Sequence, residues 1–89
     1  MYKEFKVVTV SENTNSFGLR GFICVAKDGH AFQAAAGTIN VPKKDAVLRI
    51  PLILDKDGNP TDELNYLGGF EIPQRLDKCP ADVVEEIWN

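Results

Sequence analysis

Apolar and polar residues alternate with a period of two along much of the chain, the spacing of strands whose successive side chains point to opposite faces. From Tyr2 to Val10, Phe5, Val7, Val8 and Val10 with Thr9 make the β-branched and aromatic mixture of a strand. Leu19 to Lys27 is apolar on both alternations, Phe22, Cys24 and Ala26 on one and Ile23 and Val25 on the other. Such a run predicts a central strand covered on both sides. The cleanest alternation runs from Val47 to Leu54, with Leu48, Ile50, Leu52 and Leu54 on one face and Val47, Arg49, Pro51 and Ile53 on the other. Pro51 has no N–H to give a neighbour, so this strand is expected at a sheet edge or at a bulge.

Between these runs the chain punctuates itself with turn chemistry. Ser11-Glu12-Asn13-Thr14-Asn15-Ser16 followed by Gly18 predicts a loop, because these side chains bond the local backbone or tolerate left-handed conformations. Asp28-Gly29 predicts a two-residue hairpin of type I′, with positive φ at both positions. Its second arm, His30 to Ala36, reads as a strand, with a helix as the alternative because alanines favour one and Gly37 would stop it. Thr38 to Val41 predicts a short strand or extended link, and Asp55 to Pro60 a turn. Thr61 or Asp62 is placed to cap one helical turn through Leu67, stopped by Gly68-Gly69, and Phe70 to Ile72 predicts a last short strand. At the end, Pro80 suits a first helical turn, Asp82 favours its N-terminus, and Val83, Val84, Ile87 and Trp88 form one apolar stripe.

The elements add up to an α+β fold: a small antiparallel sheet or partly open barrel of about five strands with one C-terminal amphipathic helix. The 89 residues predict one domain over 1–89, whose core is thin because a chain this short buries only about 60–65% of its unfolded surface. Self-association is a natural consequence. No run approaches a membrane span and the N-terminus lacks a signal-peptide core, so the expected location is cytoplasmic and off the membrane. Cys24 and Cys79, the only cysteines, predict two reduced thiols. A net charge of −3 with dispersed Lys and Arg argues against nucleic acid as a partner.

Reaction chemistry finds little to work with. His30 is the only histidine and reads as an exposed turn residue; neither cysteine has paired ligand spacing, so no metal site and no cofactor is expected. Asp55, Asp57 and Asn59 resemble the start of a calcium loop, but the twelfth position is Tyr66 and a β-turn explains them better. No Gly-rich phosphate loop is present, and Glu85-Glu86 point to different sides of a helix. The one stretch richer than turn-making requires is Ser11 to Arg20. There Asn13, Thr14, Asn15, Ser16, Phe17 and Arg20 combine hydrogen-bonding groups, an aromatic face and a guanidinium fork, groups used by a protein partner or a small polar ligand. A solvated connection held by Asx turns, with Phe17 folded into the core, is the competing structural account.

These residues favour a non-enzymatic binding module that engages another protein through a sheet edge or the Ser11–Arg20 loop. The alternative is a sequestering binder of a small polar or anionic ligand, with Arg20 or Arg49 as charge partner, in the manner of short phage-encoded accessory inhibitors. A small enzyme or enzyme subunit is the third, and needs a pocket with a pKa-shifted carboxylate or cysteine.

Overall fold

The computed structural model of the chain describes residues 1–66 and 70–89. Six strands, β1 (Tyr2–Val10), β2 (Leu19–Ala26), β3 (Ala31–Gly37), β4 (Val47–Leu54), β5 (Pro60–Leu64) and β6 (Glu71–Leu76), precede one helix, α1 (Ala81–Trp88). All pairings are antiparallel, in the order β5-β4-β1-β2-β3-β6, and the sheet curls into a half-barrel. The open side lies between the two edge strands, where Arg75 Nη2 on β6 donates to the Asp62 carbonyl on β5 at 3.4 Å.

Alternation decides what each face buries. On the concave face Phe5, Val7, Phe22, Cys24, Phe32 and Ile50 are fully or almost fully buried, with Ala26, Ala34 and Ala36 filling the space between them. The aromatic rings meet edge to face: Phe32 lies 4.9 Å from Phe5, 6.3 Å from Phe22 and 5.3 Å from Tyr66, and Phe22 lies 5.1 Å from Phe70. Such pairs add roughly 0.5–1.5 kcal/mol each to their burial. Curvature comes from irregular pairing. The β1–β2 register shifts between Val7 and Thr9, and β3–β6 shifts between Gln33 and Ala35, each adding local twist.

On the convex face α1 covers only part of the sheet. Val84, Ile87 and Trp88 pack over Val8, Val25 and Ala31, and Trp88 Nε1 donates to the Val25 carbonyl at 3.1 Å. Val83 was expected on the same stripe but lies at its flank, 39% exposed. No helix of the described residues is long and apolar enough to cross a membrane.

Several expectations are corrected by this geometry. The hairpin at Asp28-Gly29 forms, but not as a two-residue type I′ turn. Ala26 N–H donates to His30 and Gly29 N–H to Ala26, leaving Lys27, Asp28 and Gly29 as the connection, with positive φ (95°) at Gly29 and not at Asp28. This is the three-residue connection with a glycine bulge. Thr38–Asn40 is a turn, with Asn40 and Val41 N–H both donating to Gly37, not an extended link. The helical turn expected from Thr61 is strand β5: Thr61 Oγ1 bonds the Ile53 carbonyl across the hairpin rather than capping a helix. The Leu67–Gly69 end of that expectation lies outside the described residues. β4 is not an edge strand, since β1 and β5 flank it, although its register with β5 shifts between Leu52 and Leu54, just past Pro51. β6 runs to Leu76, well beyond the short strand expected at Phe70–Ile72.

Candidate functional site

One turn design recurs in all three hairpin connections made of consecutive short-range bonds. Asn15 N–H donates to Leu19 and Gly18 N–H to Asn15; Asp55 N–H donates to Asn59 and Gly58 N–H to Asp55; Ala26, Gly29 and His30 repeat the scheme. In the first two an Asx side chain opens the turn. Asn15 Oδ1 accepts from Phe17 and Leu19 N–H at 2.8 and 3.0 Å, and Asp55 Oδ1 from Asp57 and Asn59 N–H at 2.9 Å each. The Asp55 carboxylate, which resembled a calcium ligand, is thereby occupied by backbone.

These turns sit at opposite ends of the sheet. Because β1 and β2 are antiparallel, the Ser11–Gly18 connection lies at one end with the Thr38–Ala46 connection and the start of β6, whereas the Lys27–Gly29 turn lies at the other. At the latter end three ionisable side chains converge. The Lys3 ammonium is 2.5 Å from Asp28 Oδ2 and 2.5 Å from His30 Nδ1, and that nitrogen is 2.9 Å from the same carboxylate oxygen. Nδ1 thus faces an ammonium, which only donates, and a carboxylate, which only accepts, and whether it accepts from one or donates to the other follows the protonation of the ring. Partial burial pushes the Asp28 carboxyl up, but hydrogen bonds from Lys3 and the His30 N–H, with the charges of both residues, outweigh it and hold the carboxyl below its ordinary value. His30, expected as an exposed turn residue, is a half-buried member of this cluster. The recess beside it, lined by Lys3, His30, Asp62, Tyr66 and Arg75 among others, encloses only about 10 Å³, the room of one water. Burial raises the Tyr66 phenol and also pushes the Cys24 thiol up to about 12, which makes Cys24 a core residue rather than a nucleophile. Cys79 packs on the other face, and both thiols are free. Among the described residues no group of His, Cys, Asp and Glu is arranged to hold a metal.

The opposite end is open. On the convex face Thr9, Ile23, Gln33 and Gln74 lie side by side across four strands, one row beyond the Val25–Ala31 row that α1 covers. Gly21 and Ala35 pair in the next row. Together with Asn13, Thr14 and Asn15 from the loop and Ile72 from β6 they bound a trough of about 520 Å³, which continues along Thr9 and Ile23. None of the described residues lining it is ionisable.

The six residues singled out by sequence divide here. Asn13, Thr14 and Asn15 line the trough, though the Asn15 side-chain oxygen is engaged by the turn. Ser16 is exposed beside them, and Phe17, rather than folding into the core, is 82% exposed. Arg20 alternates onto the concave side, where Nη2 donates to the Glu12 carbonyl at 2.6 Å and Nε is buried without a partner among the described residues. It braces the loop and does not line the trough. Arg49 stacks on Tyr2, 4.9 Å from the ring centre, and lies 3.7 Å from Glu4. Sequence reading missed Gly21, Gln33, Ala35, Ile72 and Gln74. The signal was there for Gln33 alone, a polar residue in the middle of an otherwise apolar strand. Ile72, at φ 50° and 69% exposed, carries no sequence mark of its unusual conformation. No protein-family model, no characterised protein and no solved structure matches the chain.

Proposed function

We propose that the chain is a protein-binding module whose contact surface is the loop end of the half-barrel. The observation that carries this reading is that three of its four most exposed large apolar side chains lie together at that end, the fourth being Met1 at the other end, 81% exposed. Ile39 is 97%, Phe17 82% and Ile72 69% exposed, and all three belong to connections or strand starts at that one end. None of them supports the core, and side chains of this kind around a recess are the usual anchors of a partner. At the opposite end the Lys3–Asp28–His30 cluster borders a recess with room for one water, next to a hollow of about 240 Å³ lined by Glu63, Leu64, Tyr66 and Arg75. An anionic ligand finds no cation lining the trough.

The test compares the native chain with Phe17→Ser/Ile39→Ser in affinity capture from source-cell lysate, followed by mass spectrometry and a measured Kd. A partner held by the native chain and lost by the double variant, with the melting temperature unchanged, is the expected outcome. Equal affinity of both proteins for every captured partner overturns the reading.

A further inference from the structure

At the Lys27–Gly29 end the apolar core does not fill the concave face. Arg75 stands opposite Phe32 in register on β6, so alternation turns it onto the concave side, and Leu64 packs there from β5. With Tyr66 and Glu63 they bound the hollow of about 240 Å³, and Leu64, Tyr66 and Arg75 are shared with the one-water recess that leads back to Lys3, His30 and Asp62. The donors that meet here are largely unspent. Among the described residues Arg75 makes one hydrogen bond, to the Asp62 carbonyl at 3.4 Å, longer than the usual range of about 2.7–3.2 Å. It pairs with neither Asp62 nor Glu63, although both lie on the strand it reaches. Burial pushes the Tyr66 phenol up, so it stays an O–H donor at neutral pH, and the charge that bears on it is that of Arg75, which draws it down.

We propose that this hollow binds a free α-amino acid, its carboxylate held by Arg75 and Tyr66 and its ammonium facing Asp62 and Glu63. A guanidinium fork takes the two oxygens of one carboxylate together, and a phenolic O–H beside it adds a third donor. The acids select the other half of the ligand. Asp62 lines the inner recess and Glu63 the hollow, so a plain or doubly charged anion meets repulsion that an ammonium on the same molecule turns into attraction. Lys3 is already shared between Asp28 and His30, which leaves Arg75 as the one uncommitted cation among the described lining residues and suits a single carboxylate. Size agrees with this class. The hollow, at about 240 Å³, is smaller than the roughly 300–1,000 Å³ of sites for drug-sized ligands, and Leu64 with the Tyr66 ring offers an apolar wall to a side chain. The site lies at the opposite end from Phe17 and Ile39 and stands whether or not these engage another protein.

Backbone amide shifts of the isotope-labelled chain read the site directly, in titrations with each of the standard L-amino acids up to about 10 mM, where even a Kd of about 1 mM nearly saturates. The expected result is a saturable shift at Leu64, Arg75 and His30 with at least one of them, while Asn13 to Phe17 stay in place. The analogue of that amino acid lacking the ammonium, and the one lacking the carboxylate, should each bind about tenfold more weakly or worse. Arg75→Gln should raise the Kd by about tenfold or more, and Tyr66→Phe, which keeps the ring on Phe32, by about fivefold. Tyr66→Phe carries the test if Arg75→Gln folds poorly, and Phe17→Ser/Ile39→Ser should leave the Kd unchanged. The absence of any saturable shift overturns the inference, as does a Kd indifferent to both Arg75→Gln and Tyr66→Phe. Equal binding of the analogue without the ammonium overturns the amino-acid assignment, because the acidic rim then selects nothing.

Discussion

The two ends of the half-barrel use the same hairpin connection and put it to different ends. At the Lys27–Gly29 turn the chain closes on itself: Cys79 N–H donates to the Gly29 carbonyl at 2.9 Å, anchoring the segment that leads into α1, and Lys3, Asp28 and His30 lock the first strand to the turn. At the Asn15–Gly18 turn nothing lies within 4 Å of the position a Cβ would take on Gly18, and the neighbouring Phe17 is exposed. A turn is a local solution, set by a glycine that accepts positive φ and an acceptor that satisfies the backbone. What tertiary structure adds to it decides whether that end of the sheet is buried or available.

Gly29→Ala is the sharpest way to break this comparison. A side chain there is strained at φ 95°, and its Cβ falls 2.8 Å from the Cys79 carbonyl and 3.1 Å from Lys78 Cγ. Left-handed strain of about 1–2 kcal/mol combines with the displaced contact to give an expected loss of roughly 2–4 kcal/mol in urea unfolding. Because the clash pushes on the Lys78–Cys79 segment, alkylation of Cys79 should accelerate in the variant while Cys24, held protonated by burial, stays unlabelled in the folded protein. Gly18→Ala carries the strain without the clash, so its expected loss is about 1–2 kcal/mol. Equal losses at the two glycines would mean that the closed end is no better fastened than the open one.

Asn15→Ala removes an acceptor shared by two backbone N–H groups, both exposed, and is expected to lower stability by about 1 kcal/mol. A variant of native stability would show that water serves these N–H groups equally well.

Strand positions were legible in the sequence because a period of two leaves its mark in every residue: Tyr2–Val10 and Val47–Leu54 emerge with the bounds read from alternation. Turn type was less legible. Asp28-Gly29 satisfies a two-residue and a three-residue connection alike, and only the bonds made by Ala26 and His30 separate them. The Asx-x-x-Gly spacing at Asn15–Gly18 and Asp55–Gly58 was readable, and it would have turned Thr61 from a helix cap into the first half of a strand. The trough was not readable, because its floor is defined by what α1 fails to cover. That depends on where an eight-residue helix docks, a matter of long-range packing. The ion cluster was hidden for the same reason, since Lys3 and His30 are 27 residues apart and meet only through strand register.

Asp28 and Asn15 perform the same service in their turns, each Oδ1 accepting a backbone N–H, but only Asp28 titrates. Its carboxyl is held below the ordinary 3.8, so the folded state binds this proton less readily than the unfolded chain. The resulting stabilisation is present above that ordinary value and is lost as pH falls through the folded-state value beneath it. With the side chain 46% exposed, solvent screening limits the Lys3–Asp28 pair to about 0.5–1 kcal/mol. Asp28→Asn keeps an acceptor for the His30 N–H and discards the charge. Its melting temperature should therefore lie slightly below that of the native chain at neutral pH, and the gap should close once the native carboxyl is protonated, well below about pH 4. The Asn15→Ala gap, which involves no titrating group, should persist across the same range. Thermal melts of the three proteins from neutral to acid pH separate the two ends by this signature. A gap for Asp28→Asn that is as indifferent to pH as the one for Asn15→Ala would mean that the ion cluster holds its geometry without contributing to stability.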